Sequence, residues 1–166
     1  MKTIKRRRKE NKTDYLKRLK LLKSKSPRII FRKTNKYVIA QYIISKEAQD
    51  KIIMGITSKD LIKYGWPKEF IGSLKSIPAS YLTGFLIGKQ IKEKKLENPI
   101  PDFGMIRNLH KSKIYAFLKG IIDAGIKIKF KEEIFPEEDR IQGKHMKKDF
   151  SKIFLEIKSK IEKKWK

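Results

Sequence analysis

The chain has 166 residues, of which 43 are Lys or Arg and 18 are Asp or Glu, so its formal net charge is +25. This excess is more than solubility requires of a small domain and indicates a polyanionic partner, nucleic acid first and an anionic membrane surface second. A hydrophobic fraction of 39% excludes a wholly disordered basic tail, and the absence of cysteine excludes disulfide scaffolds, thiolate metal sites and cysteine nucleophiles.

The N-terminal segment carries more than half of this charge. Residues 1–36 hold 16 Lys or Arg against two acids, a net charge of +14. Residues 1–12 include the run Lys5-Arg6-Arg7-Arg8-Lys9, which cannot fold without counter-charges, and we interpret them as an arm that its partner orders. No apolar stretch follows that could serve as a signal peptide, so a cytoplasmic location is expected.

A short basic amphipathic helix and a β-meander are predicted next. The helix begins after residue 13, with Thr13 or Asp14 placed to cap it and Tyr15, Leu16 and Leu19 at helical spacing. Alternating apolar residues and a short Asn-containing connection are typical of hairpin strands. The three predicted strands are Arg28–Lys33, Tyr37–Ile44 and Lys51–Thr57.

Two long helices are predicted in the second half of the chain. The first covers Ala79–Lys94, where Gly84 and Gly88 lack side chains on one face, and we expect that face to lie close against the sheet. The second covers Lys111–Ala124, which has apolar residues on one face and Gly125 at its C-terminal end.

Shorter elements complete the prediction. Asp102–Arg107 is predicted as a strand, and Ile126–Phe130 alternates with lysines as an edge strand, so that these two and the helix between them would form a βαβ unit. Glu132–Asp139 is predicted as an exposed acidic loop, and Asp149 begins a C-terminal amphipathic helix. The expected divisions are a basic arm and helix (1–26), an α/β core (27–130), and the acidic loop with the C-terminal helix (131–166).

Patterns for catalysis or metal binding are weak. The segment Gly84–Lys89 resembles a phosphate-binding loop but is one residue too short and lies within a predicted helix. His110 and His145 have no second ligand at metal-binding spacing, so no metal or cofactor is expected. Asp102 and the acidic cluster Glu132–Asp139 leave a Mg²⁺-dependent nuclease open as an alternative, although the cluster is more simply a solvated loop.

The predicted hairpin carries groups suited to RNA. Its cations can bind phosphates, its Asn can read a base edge or a 2′-hydroxyl, and its Tyr can stack on an unpaired base. A non-specific charge neutraliser remains the other alternative at this point. The hairpin residues concerned are Arg28, Arg32, Lys33, Asn35, Lys36 and Tyr37.

The hairpin segment Pro27–Gln41 (PRIIFRKTNKYVIAQ) closely resembles that of the large-subunit ribosomal protein eighteen family, in its archaeal and eukaryotic branch. The chain departs from that family at Ser76–Ala79, which replaces Asn-Thr-Pro-Ala, and at Lys111–Lys113, which lacks the glycine usual in that loop. Further matching segments, in the family's order, are Lys12–Tyr15, Lys63–Trp66, Pro78–Gly84, Leu118–Gly120, Asp123–Gly125 and Pro136–Gly143.

The resemblance implies a three-layer α/β core with a mixed sheet and a non-catalytic role. It also implies that the chain binds 5S ribosomal RNA and docks it onto the large-subunit ribosomal RNA, beside neighbouring large-subunit ribosomal proteins. Carried over to this sequence, the implied RNA contacts are Lys5, Arg6, Arg7, Arg8, Lys9, Lys12, Lys17, Arg18, Arg28, Arg32, Lys33, Thr34, Asn35, Lys36, Tyr37, Arg107, Asn108, His110, Lys111 and Lys113.

Overall fold

An α/β fold around a four-stranded mixed sheet is seen in the computed structural model, which confirms the predicted class. The structure describes residues 3–47, 49–146 and 149–165; Met1 and Lys2 of the predicted arm lie outside these ranges. The strands are β1 (Arg28–Lys33), β2 (Val38–Lys46), β3 (Gln49–Thr57) and β4 (Ile100–Asp102). The helices are α1 (Arg6–Lys9), α2 (Tyr15–Lys23), α3 (Ile77–Glu93), α4 (Lys113–Asp123), α5 (Glu138–Gln142) and α6 (Ser151–Lys164).

The sheet has the order β3-β2-β1-β4, with β4 parallel to β1 and the other pairs antiparallel. Because side chains alternate along a strand, Ile29 and Phe31 face the hydrophobic core, while Arg28 and Arg32 face the opposite side. Helices α3 and α4 cover the core side, and α2 lies on the other, so the sheet is the middle of three layers.

A β-bulge changes which residues of β3 face α2. Tyr42 of β2 pairs with Met54, but the next residue, Ile43, pairs with Ile52, so Ile53 is an extra residue on β3. Since one extra residue reverses the alternation of every residue beyond it, the bulge brings Asp50 onto the face that carries Arg28. This register creates the ion-pair network described below.

Helices α3 and α4 pack with their backbones in close approach. A Cβ atom built on Gly84 would collide with the carbonyl oxygen of Phe117, and one on Gly88 would lie 2.6 Å from the Cβ of Ala124. Gly120 of α4 faces the carbonyl oxygen of Tyr81 in the same way. The prediction that the glycine face of α3 lies against the sheet is therefore wrong, because that face is covered by α4.

Two predicted strands differ from the structure. β4 ends at Asp102 instead of beginning there, because Gly104, at φ +58°, turns the chain and its N–H donates to the Asp102 carboxylate at 2.9 Å. Residues 126–130 form no strand, so the predicted βαβ unit is also wrong. There the backbone N–H of Ile126 bonds to Ile121 at the end of α4, which directs the segment along the helices and not along the sheet.

The C-terminal part packs on the same core. Helix α6 confirms the predicted amphipathic helix and buries Phe154, Ile157 and Ile161. The predicted acidic loop contains a short 3₁₀ turn at Glu132–Ile134 and the start of α5. No helix in the described ranges is long and apolar enough to cross a membrane.

Candidate nucleic-acid interface

The basic arm is folded against the N-terminus of α2. Asp14 caps α2, accepting hydrogen bonds from the backbone N–H groups of Leu16 at 3.1 Å and Lys17 at 3.3 Å. The same carboxylate lies 3.6 Å from Arg8, and Arg7 donates to the Thr13 hydroxyl at 3.0 Å. These local partners allow Arg6–Lys9 to form one helical turn, where the sequence predicted an arm ordered only by its partner.

A cleft lies between this folded arm, α2 and the end of β4. We call it the arm cleft; its volume is about 160 Å³. Its acidic neighbours Asp14 and Asp102 are engaged in the helix cap and in the ion pair with Arg28. The cations that line it are Arg7, Lys12, Lys17, Arg18 and Arg32.

Arg32 is held in a fixed position within the arm cleft. Its guanidinium donates to the backbone carbonyls of Phe31 at 3.1 Å and Asp102 at 3.4 Å, and a Cβ on Gly104 would lie 3.1 Å from it. Burial lowers the pKa of Arg32, while the charge of Asp102 raises it and that of Arg28 lowers it. An arginine keeps its charge despite such a shift, so the cleft contains a fixed, partly desolvated cation.

Arg28 is predicted from the sequence to lie on the exposed hairpin rim, but it is 1% exposed. Its guanidinium pairs with Asp102 at 2.8 Å and with Asp50 at 2.6 Å, and it donates to the Ser45 hydroxyl at 2.8 Å. Because these three partners are already bound to it and the side chain is buried, Arg28 cannot contact RNA in this fold. The predicted RNA contact of Arg28 is therefore wrong, and its role is structural.

The Arg28 network also fixes α2 on the sheet. Asp50 accepts hydrogen bonds from Ser45 at 2.7 Å and from Arg18 of α2 at 3.1 Å. Although partial burial raises the pKa of Asp50, hydrogen bonds from Ser45 and Arg18 and the charge of Arg28 lower it below its usual value. The orientation of the arm cleft thus depends on an ionised Asp50.

Stability is expected to fall in acid because of Asp50. Its pKa is lower in the folded than in the unfolded chain, so its contribution is present above the unfolded value of about 3.9 and is lost as the pH falls through the folded value. The melting temperature between pH 3 and 6 should fall less steeply in Asp50→Asn than in the native protein. Equal slopes would contradict this, and Glu156→Gln, which alters an exposed carboxylate on α6, serves for comparison.

The hairpin turn is held by Thr34. Its hydroxyl accepts from the N–H groups of Tyr37 at 2.9 Å and Lys36 at 3.3 Å, so it shapes the turn and leaves Asn35 and Lys36 exposed. The Lys59 ammonium lies 4.5 Å from the centre of the half-buried Tyr37 ring. One face of that ring is therefore already covered by a cation of the same chain.

A second cationic region surrounds a groove next to the start of α4. Its volume is about 370 Å³, and Ile77, Ile106 and Leu109 provide its apolar walls. Lys111 lies in the loop that lacks the glycine expected from the resemblance, and it adopts φ +54°. Its ammonium pairs with Glu137 at 2.8 Å. We call this the α4 groove; its polar and charged lining is Lys33, Arg107, His110, Lys111, Ser112, Lys113 and Arg140.

The predicted contact residues fall into three groups by exposure. Among the predicted contact residues, Arg28 alone is buried. Half-buried are Lys17, Arg18, Arg32, Thr34, Tyr37 and Lys113. Exposed are Lys5, Arg6, Arg7, Arg8, Lys9, Lys12, Lys33, Asn35, Lys36, Arg107, Asn108, His110 and Lys111.

Three groups beside the α4 groove were missed by sequence reasoning. Ser112 and Arg140 line it, and the charge of Lys75 acts on Lys113. Arg140 lies in the matching segment Pro136–Gly143 and Ser112 lies in the loop Lys111–Lys113, but neither was predicted as a contact, and Lys75 belongs to no recognisable motif. The signal that identifies them is their proximity in the fold.

A Mg²⁺-dependent nuclease would use a cluster of acidic side chains. No group of three or more His, Asp or Glu side chains within them could hold a metal ion. Asp102, proposed for a nuclease, is instead bound to Arg28 and to the N–H of Gly104. The charged clefts described above are cationic and are therefore suited to binding phosphates.

Comparison with known proteins shows similarity to ribosomal proteins of the large subunit. The model of a family described as ribosomal large subunit proteins 60S L5 and 50S L18 matches residues 1–100. A large ribosomal subunit protein uL18 of Korarchaeum cryptofilum is 48% identical over 141 residues, which cover 85% of this chain and 70% of that protein. The uL18 of Methanoregula boonei is 37% identical over 141 residues, covering 85% and 79%.

Proposed function

This chain belongs to the family of ribosomal large subunit proteins 60S L5 and 50S L18, and from that premise we propose that it binds 5S ribosomal RNA and helps attach it to the large-subunit ribosomal RNA. The family membership gives it a structural role in the large ribosomal subunit and not an enzymatic one. The nuclease alternative is thereby set aside.

The observation that supports the RNA proposal is the arm cleft. Its five cations come from α1, α2, β1 and the segment between the two helices, so the fold gathers charges that are scattered along the chain. Phosphates that enter the cleft would release counterions and neutralise part of the +25 charge. Arg32, held by backbone carbonyls, would give this contact a fixed geometry.

The hairpin turn and the arm extend the proposed surface. Asn35 and Lys36 project beside Lys33, and Lys5 to Lys9 are exposed in front of α2. We propose that residues 1–26 bind the RNA, that residues 27–130 carry the turn and most of the α4 groove, and that residues 131–166 face neighbouring ribosomal proteins. In this proposal Arg28 makes no contact with RNA and only helps to hold α2 on the sheet through Asp50.

The specificity of binding is tested by titrating the full chain with 5S ribosomal RNA and with an unrelated RNA of equal length at moderate salt. Tighter binding of the 5S RNA is expected, because geometry adds to charge. Equal affinity for the two RNAs would contradict the proposal and leave a non-specific charge neutraliser.

Neutralising cations of the arm cleft should reduce the salt dependence of RNA binding. In the variant Lys12→Gln/Lys17→Gln, the slope of log Kd against log salt is expected to fall by about 0.7–0.9 for each RNA phosphate that the variant no longer neutralises. Lys152→Gln/Lys163→Gln, exposed on α6, removes the same charge elsewhere and should leave the slope nearly unchanged. Similar changes in both variants would mean that bulk charge alone governs binding.

A further inference from the structure

The N-terminus of α4 has a hydroxyl with no partner. Ser112 is the N-cap residue, yet its side chain accepts no hydrogen bond from the helix, and its Oγ atom is buried without a partner among the described residues. The first N–H groups of any helix lack carbonyl acceptors within that helix, so those of Lys113 and the two residues after it are available as donors. Ser112 also lines the α4 groove, so a ligand there would meet these donors.

Lys33 and Lys113 both line the α4 groove, and the charge of Lys75 acts on Lys113. Lys33 ends β1, Lys75 precedes α3 and Lys113 begins α4. Partial burial and the charges of Lys33 and Lys75 lower the pKa of Lys113. In the part of the chain that the structure describes, none of the three forms an ion pair with a carboxylate. Such a cluster is unfavourable by itself and favourable around an anion.

The α4 groove also has an apolar wall. Ile77, Ile106 and Leu109 line it, and Leu109 is 52% exposed. Inorganic phosphate would use only the cationic end and leave these side chains in water. A nucleotide carries a phosphate and a flat, largely apolar base, and so it matches both halves of the groove.

We propose that the α4 groove binds one unpaired nucleotide of the RNA, with its phosphate at the N-terminus of α4 and its base against the apolar wall. Lys33 and Lys113 flank the phosphate, and the Ser112 hydroxyl donates to it together with the free backbone N–H groups. An unpaired nucleotide is expected, because a base stacked in a duplex would first have to be flipped out of it at a cost of a few kcal/mol. This inference rests on the proposed function and deepens it.

The groove is tested directly by NMR titration of the full chain with adenosine 5′-monophosphate, inorganic phosphate and adenosine as separate probes. The nucleotide should shift the backbone amide signals of Lys113 to Tyr115 and the methyl signals of Ile77, Ile106 and Leu109 at one common Kd. Phosphate alone should shift only the amides. Methyl signals that stay in place with the nucleotide would overturn the base site.

Variants separate the hydroxyl and the lysines from general charge. Ser112→Ala should weaken nucleotide binding about tenfold to a hundredfold, the value of one hydrogen bond to a charged group. Since this hydroxyl caps no helix amide, the melting temperature should be unchanged. Lys33→Met should weaken binding further, whereas Ser159→Ala and Lys152→Met on α6 should not. Equal effects in all four variants would overturn the proposal.

The same variants assayed with whole 5S ribosomal RNA distinguish this inference from the function on which it rests. Weaker binding by Ser112→Ala and Lys33→Met supports the groove. If 5S RNA binds tightly and these two variants change nothing, the groove proposal is wrong and the proposed function stands. If 5S RNA binds no better than unrelated RNA while the nucleotide still enters the groove, the 5S assignment is wrong and the nucleotide site stands.

Discussion

Replacing Arg28 with Met is expected to lower the free energy of unfolding by about 3–5 kcal/mol, because it leaves a carboxylate uncompensated in the protein interior. The side chain of Asp102 is only 10% exposed and pairs with Arg28 at 2.8 Å. Asp50 loses its 2.6 Å partner in the same variant but keeps its bond from Arg18. Urea denaturation followed by circular dichroism measures the change.

Two further variants show whether the loss comes from the buried charge. Arg28→Met/Asp102→Leu removes both charges and should recover much of the stability, since an apolar pair avoids the desolvation of two ions. Arg107→Met removes an exposed arginine and should change stability by no more than about 0.5 kcal/mol. If Arg28→Met behaved like Arg107→Met, the ion pairs would have no net role in stability.

The burial of Arg28 could not be predicted from the sequence. The alternating pattern predicted strand β1 with its observed bounds, but it could not tell an arginine facing solvent from one facing a carboxylate. The partners, Asp50 and Asp102, are 22 and 74 residues away along the chain. The Asp50 contact depends in addition on the bulge at Ile53, and a single extra residue in a strand leaves no local signature.

The positions of the helices along the chain were predicted well, but the elements that pack against them were not. Apolar periodicity located α4 and α6 because one face of each is buried. Helix α2 was located by the same periodicity, although it has no buried residue and Leu16 and Leu19 are exposed. It does not say what covers that face, so the glycines of α3 were assigned to the sheet when they adjoin α4. The failed strand at 126–130 has the same cause, since Ile126 is buried by packing into the core and not by pairing with a strand.

The candidate site was predicted in its chemistry and only partly in its geometry. The density of cations along residues 1–36 indicated the arm, and the segments shared with the family indicated the hairpin and the loop before α4. The assembly of Arg7, Lys17 and Arg32 into one cleft needs the crossing of α2 over the sheet, which only the tertiary structure provides. The same is true of Lys75 and Ser112 beside the α4 groove.

Gly84→Ala is expected to lower the free energy of unfolding by about 3 kcal/mol, although alanine is the better helix former. A Cβ at this position meets the backbone carbonyl of Phe117, which no side-chain rotation can move away. Helix propensity alone predicts a gain of about 1 kcal/mol, so the sign of the change distinguishes close packing from propensity. Thermal and urea denaturation both report it.

Gly72→Ala is the matched control for this change. Nothing lies within 4 Å of a Cβ at Gly72, so the substitution should be neutral or slightly stabilising. Equal losses in both variants would contradict the close packing of α3 on α4.

Since α4 carries Ser112 and Lys113 at its first turn, the displacement in Gly84→Ala should also weaken nucleotide binding in the α4 groove. The arm cleft, on the other side of the sheet, should keep its contribution to RNA binding, because none of its residues belongs to α3 or α4.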